Sequence, residues 1–136
     1  MKKIYLNCIL EKSIDDSETT YYWNGFKNKK NYINNYIETH KIELRNIYLE
    51  FIESLTFREN KKINKIFEHD SFHNLWEMSS IYEKCPNKSK VISDCIKLIA
   101  FEKILKIEKP DVIEIFSNDI KIYQSIKYLC KKNNII

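Results

Sequence analysis

The sequence predicts an α/β fold, helix-rich and with few parallel strands. Three observations carry this reading. A β-branched and aromatic run, KIYLNCIL at 3–10, opens the chain. Long stretches between 28 and 107 repeat apolar residues at three-four spacing, the period of a helix face. A second strand-like run, VIEIF at 112–116, is flanked by two helical patterns, and such alternation is the mark of a parallel layer. Because the strands are few and short, an all-α bundle is the rival architecture.

The elements follow in order. Residues 3–10 read as the first strand, and the polar run 11–20 with Asp15, Asp16 and Ser17 as a loop. TYYWNGF at 20–26 ends near Gly25, the one glycine of the chain, and reads as a short strand or a packed loop. Over 28–57, Ile33, Tyr36, Ile37, Leu44, Ile47, Tyr48, Phe51, Ile52 and Leu55 form one stripe opposite charged residues. This is an amphipathic helix with a break expected near His40. Residues 58–70 are charged, with a short helix expected around 63–67. Residues 71–84 read as a helix capped by Ser71 and stopped by Cys85-Pro86, since proline disfavours helix at the residue before it.

The stretch 89–107 is apolar around much of its circumference, through Val91, Ile92, Cys95, Ile96, Leu98, Ile99, Phe101, Ile104 and Leu105, and so reads as a buried helix. Lys109-Pro110-Asp111 stops it, and the strand 112–116 follows. Ser117-Asn118-Asp119 has the chemistry of a helix start. The stripe Ile122, Tyr123, Ile126, Leu129 and Cys130 then defines a helix over 120–132, with Asn133-Asn134 as its stop. The element after such a helix in an α/β unit is a parallel strand. Only Ile135-Ile136 follow, so the sequence predicts a Rossmann-like domain cut short at its C-terminus.

Composition bounds the function. The chain has 136 residues, the size of one domain, with 43% hydrophobic and 31% charged residues. No apolar run approaches the roughly 20 residues of a bilayer span. The start, MKKIYLNCILEKSIDD, faintly resembles a signal peptide, but Asn7 interrupts its apolar stretch and no small-residue cleavage site follows. Net charge is +4, carried by lysines scattered among acids, which favours a solvated surface over nucleic-acid binding. The same charge would suit anionic sugar nucleotides or docking on acidic lipid. With a single glycine the chain has neither a Walker A loop nor the dinucleotide fingerprint. Cys8, Cys85, Cys95 and Cys130 form no C-x-x-C pair and no zinc spacing, so free thiols in a reducing compartment are expected.

Candidate chemistry lies in four places. Trp76, Ser79 and Glu83 fall one turn apart on one helix face and lead into Lys84, Lys88 and Ser89. An indole can stack on a sugar, a carboxylate can accept hydroxyls, and lysines attract phosphate; equally, Trp76 can be core and Glu83-Lys84 surface. Ser117, Asn118 and Asp119 follow a strand, where open α/β sheets bind ligands, and the same residue types make a helix cap. His69 and His73 have the spacing of two metal ligands, but Asp70 stands where a zinc-protease glutamate would, and no metal is expected. Asp15-Asp16 are adjacent in a loop rather than arranged as D-x-D at a strand end.

The segment FHNLWEMSSIYEKCPNKS at 72–89 also carries a resemblance. Leu75, Trp76, Met78, Ser79, Glu83, Lys84, Lys88 and Ser89, followed by Asp94, Lys97 and Leu98, resemble the N-terminal half of a family of bacterial surface-carbohydrate biosynthesis proteins. These are large two-domain, GT-B-like sugar transferases. The resemblance covers roughly the second half of the chain and is specific in 75–98 and generic beyond. It implies a cytoplasmic, glycosyltransferase-like protein of capsule, O-antigen or lipopolysaccharide synthesis, working at the inner face of the cell membrane. Its partners would be a nucleotide sugar and a glycan or lipid-linked acceptor, with no cofactor and no nucleic acid. It implies a C-terminal donor domain beyond this chain, and inactivity of the chain alone. The alternative from residues alone is a free-standing helical interaction protein using the aromatic-rich face of 21–57.

Overall fold

The computed structural model describes residues 2–9, 20–25, 31–55, 57–58, 61–62 and 90–136. The chain divides into two compact units, Met1–Lys41 with Lys97–Ile136, and Ile42–Ile96. The first unit holds an all-parallel three-stranded sheet, so the fold is α/β and the helical bundle is excluded.

Strand β1 (Lys3–Asn7) is central. On one side it pairs with β2 (Thr20–Tyr22), and on the other with β5 (Val112–Phe116), in the order β2-β1-β5. The register sets Ile4 beside Ile113 and Leu6 beside both Ile115 and Tyr21. Side chains alternate across a strand, so these residues share one face, and Ile4, Leu6 and Ile113 are buried. The opposite face carries Lys3, which bonds Glu114 at 2.6 Å and lies over the Tyr5 ring.

The first strand is shorter than the 3–10 expected. Asn7 ends it, because its side-chain oxygen accepts the Ile9 amide at 2.9 Å and turns the backbone out of the ladder. Of the segment 20–26, the described residues 20–25 are both of its expected alternatives: three residues of strand, then a packed turn. In that turn Gly25 has φ +90°, and a Cβ there would stand 3.2 Å from the Tyr32 ring, so glycine is favoured and any other residue would be strained.

The long amphipathic stretch is two helices, α1 (Ile33–Thr39) and α2 (Lys41–Leu55), parted at His40 as expected. The His40 ring stacks on Tyr36 at 4.1 Å, and both its Nδ1 and its amide lie 3.0 Å from the Tyr36 carbonyl. In the second unit, α2 buries Leu44, Tyr48 and Ile52 at four-residue spacing. It stops before the antiparallel pair β3 (Phe57–Arg58) and β4 (Lys61–Lys62), which the periodicity had not indicated. The helices expected at 63–67 and 71–84 lie outside the described residues.

Helix α3 spans Lys90–Glu108. It is less completely buried than its composition suggests: Ile92, Ala100, Phe101, Ile104 and Leu105 are core, but Val91 is exposed. Its end is anchored to the sheet. Glu108 accepts Lys2 Nζ at 2.6 Å and the Tyr21 hydroxyl at 3.0 Å. Lys109, at φ +45°, then donates its amide to the Leu105 carbonyl at 2.9 Å, the left-handed cap that ends a helix, and Pro110 follows.

Helix α4 (Ile120–Lys132) buries Ile122, Ile126 and Cys130. Tyr123, expected in that stripe, is 41% exposed: it stands at one border of the buried stripe, about 60° of helix rotation from Ile126. Lys132 reaches Glu102 of α3 at 3.1 Å, so the two helices are neighbours. Asn134 closes α4 at φ +56°, with the Ile135 amide on the Cys130 carbonyl and the Asn134 amide on that of Lys131. At the position where a further parallel strand was expected, Ile136 donates to Asp111 O at 3.1 Å and accepts from Ile113 N at 2.8 Å, along the outer side of β5.

Candidate functional site at the carboxyl edge of the sheet

The order β2-β1-β5 reverses at β1, because the chain moves to one side for β2 and to the other for β5. Ligands of open α/β sheets bind outside the carboxyl ends of the strands at such a reversal. Three turns meet there: Asn7–Ile9 after β1, Trp23–Gly25 after β2 and Ser117–Asp119 after β5. Main-chain bonds hold them together, with Cys8 N donating to Phe116 O at 2.8 Å and Trp23 N to Asn7 O at 2.9 Å.

A cation is built into this edge. Lys97 of α3 donates its ammonium to Asn24 Oδ1 at 3.1 Å and stands 5.7 Å from the Trp23 ring centroid. The other end of the Asn24 amide donates to the Cys8 carbonyl at 3.2 Å, which fixes which way the amide faces. Trp23 is 1% exposed, and its indole N–H is the one buried side-chain polar atom without a hydrogen-bond partner among the described residues. The ring is therefore a rigid apolar floor beneath the ammonium, and a cation over an indole face is attracted by its quadrupole. Tyr22 and Tyr32 stack on one another at 4.8 Å.

Of the residues singled out from sequence, Ser117, Asn118 and Asp119 lie at this edge. Asp119 is the N-cap of α4, its Oδ1 accepting the Lys121 amide at 2.9 Å and the Ile122 amide at 3.3 Å. Ser117 Oγ accepts the Asp119 amide at 3.1 Å. Asn118 is exposed. The capping reading of this turn is thus realised, and it leaves Asn118 as the side chain presented outward. Trp76, Ser79, Glu83, Lys84, Lys88 and Ser89 lie outside the described residues, as do Asp15, Asp16, His69, His73 and Cys85.

Asn7, Asn24 and Lys97 are the members of the edge that periodicity did not mark as site residues. Asn7 is a buried polar residue inside an apolar strand, and Lys97 a lysine in an apolar helix. Those two mismatches of residue and element were the available signal. The groups gathered are hydrogen-bonding amides, a hydroxyl and an ammonium, suited to binding an anionic or hydroxyl-rich ligand. Asp119 is engaged in its cap. The described residues contain no cluster of three metal-ligating side chains and no helix long and apolar enough to cross a membrane. Cys8, Cys95 and Cys130 are free thiols, and burial raises the pKa of the last two. Compared with protein-family models, characterised proteins and solved structures, the chain matches none of them.

Proposed function

We propose that the chain is the N-terminal, acceptor-side part of a glycosyltransferase-like protein of bacterial surface-polysaccharide synthesis. The observation that carries this reading is a parallel sheet reversing at β1, with Lys97 and Asn118 at its carboxyl edge. The resemblance of residues 75–98 to surface-carbohydrate transferases supports it independently. The acceptor role is what the resemblance implies for an N-terminal domain, and a chain with one glycine, having no glycine-rich loop to cradle a pyrophosphate, agrees with it. In this reading Trp76, Ser79, Glu83, Lys84, Lys88 and Ser89, which lie outside the described residues, are the further residues expected to contact sugar and phosphate. The reaction is displacement of a nucleotide from the donor sugar, helped by a base and by stabilisation of the leaving phosphate.

Amide NMR spectra recorded with a panel of nucleotide sugars and oligosaccharide acceptors test this. An oligosaccharide should move the amides of 7–9, 23–25 and 117–121, and Asn118→Ala with Lys97→Met should weaken binding at least about tenfold, as loss of two polar contacts predicts. Shifts confined to other residues, or binding indifferent to both substitutions, would refute the assignment.

A further inference from the structure

Helix α4 buries one side in the first unit and presents another outward. Ile120, Tyr123, Gln124, Lys127, Tyr128 and Lys131 recur at three-four spacing and so share that outer side. Ile120 is 71% exposed, Tyr128 70% and Tyr123 41%. Large apolar side chains grouped on one solvent face are costly to leave bare and mark an interaction surface.

The charge on this helix is of one sign. From 120 to 132 the chain carries Lys121, Lys127, Lys131 and Lys132 and no Asp or Glu. Lys132 is engaged with Glu102. Lys121, Lys127 and Lys131 have no acidic partner among the described residues. Helix α2 is the internal contrast. It also exposes Ile42 and Phe51, but Glu43, Glu50 and Glu53 interrupt its surface.

We propose that the outer face of α4 docks on an anionic lipid surface. A helix of thirteen residues is about 20 Å long. It would lie in the plane of the interface with its apolar side chains below the headgroups. Ile120 would enter hydrocarbon. Tyr123 and Tyr128 would place their rings at headgroup depth with the hydroxyls in water. Lys127 and Lys131 would extend their stems along the surface and set their ammonium groups among lipid phosphates. Nucleic acid fits less well. A phosphate backbone offers Ile120 nothing, and the chain's arginines, Arg45 and Arg58, lie outside α4. This inference stands on α4 alone and does not depend on the glycosyltransferase reading.

The test is sedimentation of the whole purified chain with vesicles of phosphatidylcholine, with and without phosphatidylglycerol. Binding is expected only with phosphatidylglycerol and should weaken as salt is raised. Lys127→Gln with Lys131→Gln should weaken it about 25-fold, each lysine near an anionic surface being worth about fivefold. Ile120→Ser with Tyr128→Ser should also abolish sedimentation, and circular dichroism should show both variants folded, since all four positions are exposed. In the Tyr128→Trp variant a brominated lipid should quench fluorescence more than in the parent. The proposal is overturned by equal sedimentation with uncharged vesicles, by none with anionic ones, by unchanged binding of the serine variant, or by tighter binding to single- or double-stranded oligonucleotides than to vesicles.

Discussion

At the scale of single residues, a few side chains do most of the local fixing. Asn7 turns the chain out of β1, Gly25 permits a turn that a Cβ would obstruct, and Asp119 starts α4. Glu108 ties the end of α3 to both β1 and β2 through Lys2 and Tyr21. Its pKa is held below the ordinary 4.5, chiefly by the Lys2 hydrogen bond, with partial desolvation opposing and the Tyr21 hydroxyl adding to the depression. A carboxylate depressed in the folded state contributes stability that is present above its unfolded pKa and lost as pH falls through the folded value. Unfolding titrations should therefore show stability declining as pH drops below 4.5. Glu108→Gln should flatten part of that decline. The effect should be about 1 kcal/mol or less, because Lys2 is half exposed and solvent screens the pair. An identical acid limb in the two proteins would refute this account. The Tyr21 hydroxyl has the opposite linkage. Burial first, and then the Glu108 carboxylate, raise its pKa above 10.0, so it adds stability below that pH and loses it as pH rises further.

At the scale of elements, helix ends are better written in the sequence than helix faces. The strand 112–116 and the helix 120–132 agree with their expected bounds to the residue, because Pro110, Asp119 and Asn133-Asn134 are local chemical stops and starts. Which side of a helix is buried depends on what packs against it, and that information is not local. Tyr123 and Val91 are apolar residues in the right period that are nonetheless exposed. The site shows the same limit. Lys97 and Asn24 are 73 positions apart, so no window of sequence could have joined them. The Ser117–Asp119 turn was legible because it combines a strand end with a cap. One helix end is also improvable. Lys109 holds φ +45°, where a side chain costs about 1–2 kcal/mol. Lys109→Gly removes that strain but loosens the unfolded chain by about 0.4–1 kcal/mol. The net should be a gain of about 0.5–1 kcal/mol, seen as a rise of a few degrees in Tm. A Tm that is unchanged or lower would mean that the left-handed conformation at Lys109 is not strained.

At the scale of the whole molecule, the sheet joins the beginning of the chain to its last third. Strand β1 at Lys3–Asn7 pairs along its full length with β5 at Val112–Phe116, and the segment Ile42–Ile96 intervenes as a unit of its own. Such pairing is non-local. It must overcome the loop-closure entropy of the intervening chain before its contacts stabilise anything, which makes it slow to form and all-or-none once formed. Leu6 is at the middle of this arrangement, fully buried on the central strand between Tyr21 and Ile115. Leu6→Ala removes buried methyl groups where neither flanking strand can close the gap, and should cost about 2–5 kcal/mol. That is a large share of the roughly 5–15 kcal/mol by which a domain is stable. The cost should be shared. Native-state hydrogen exchange should show the amides of β1, β2 and β5 losing protection by the same amount, although β5 is more than a hundred residues away in sequence. If β5 kept its protection while β1 lost its own, the sheet would not unfold as one unit. The carboxyl edge could not then be a preorganised site, because two of its three turns would open independently of the third.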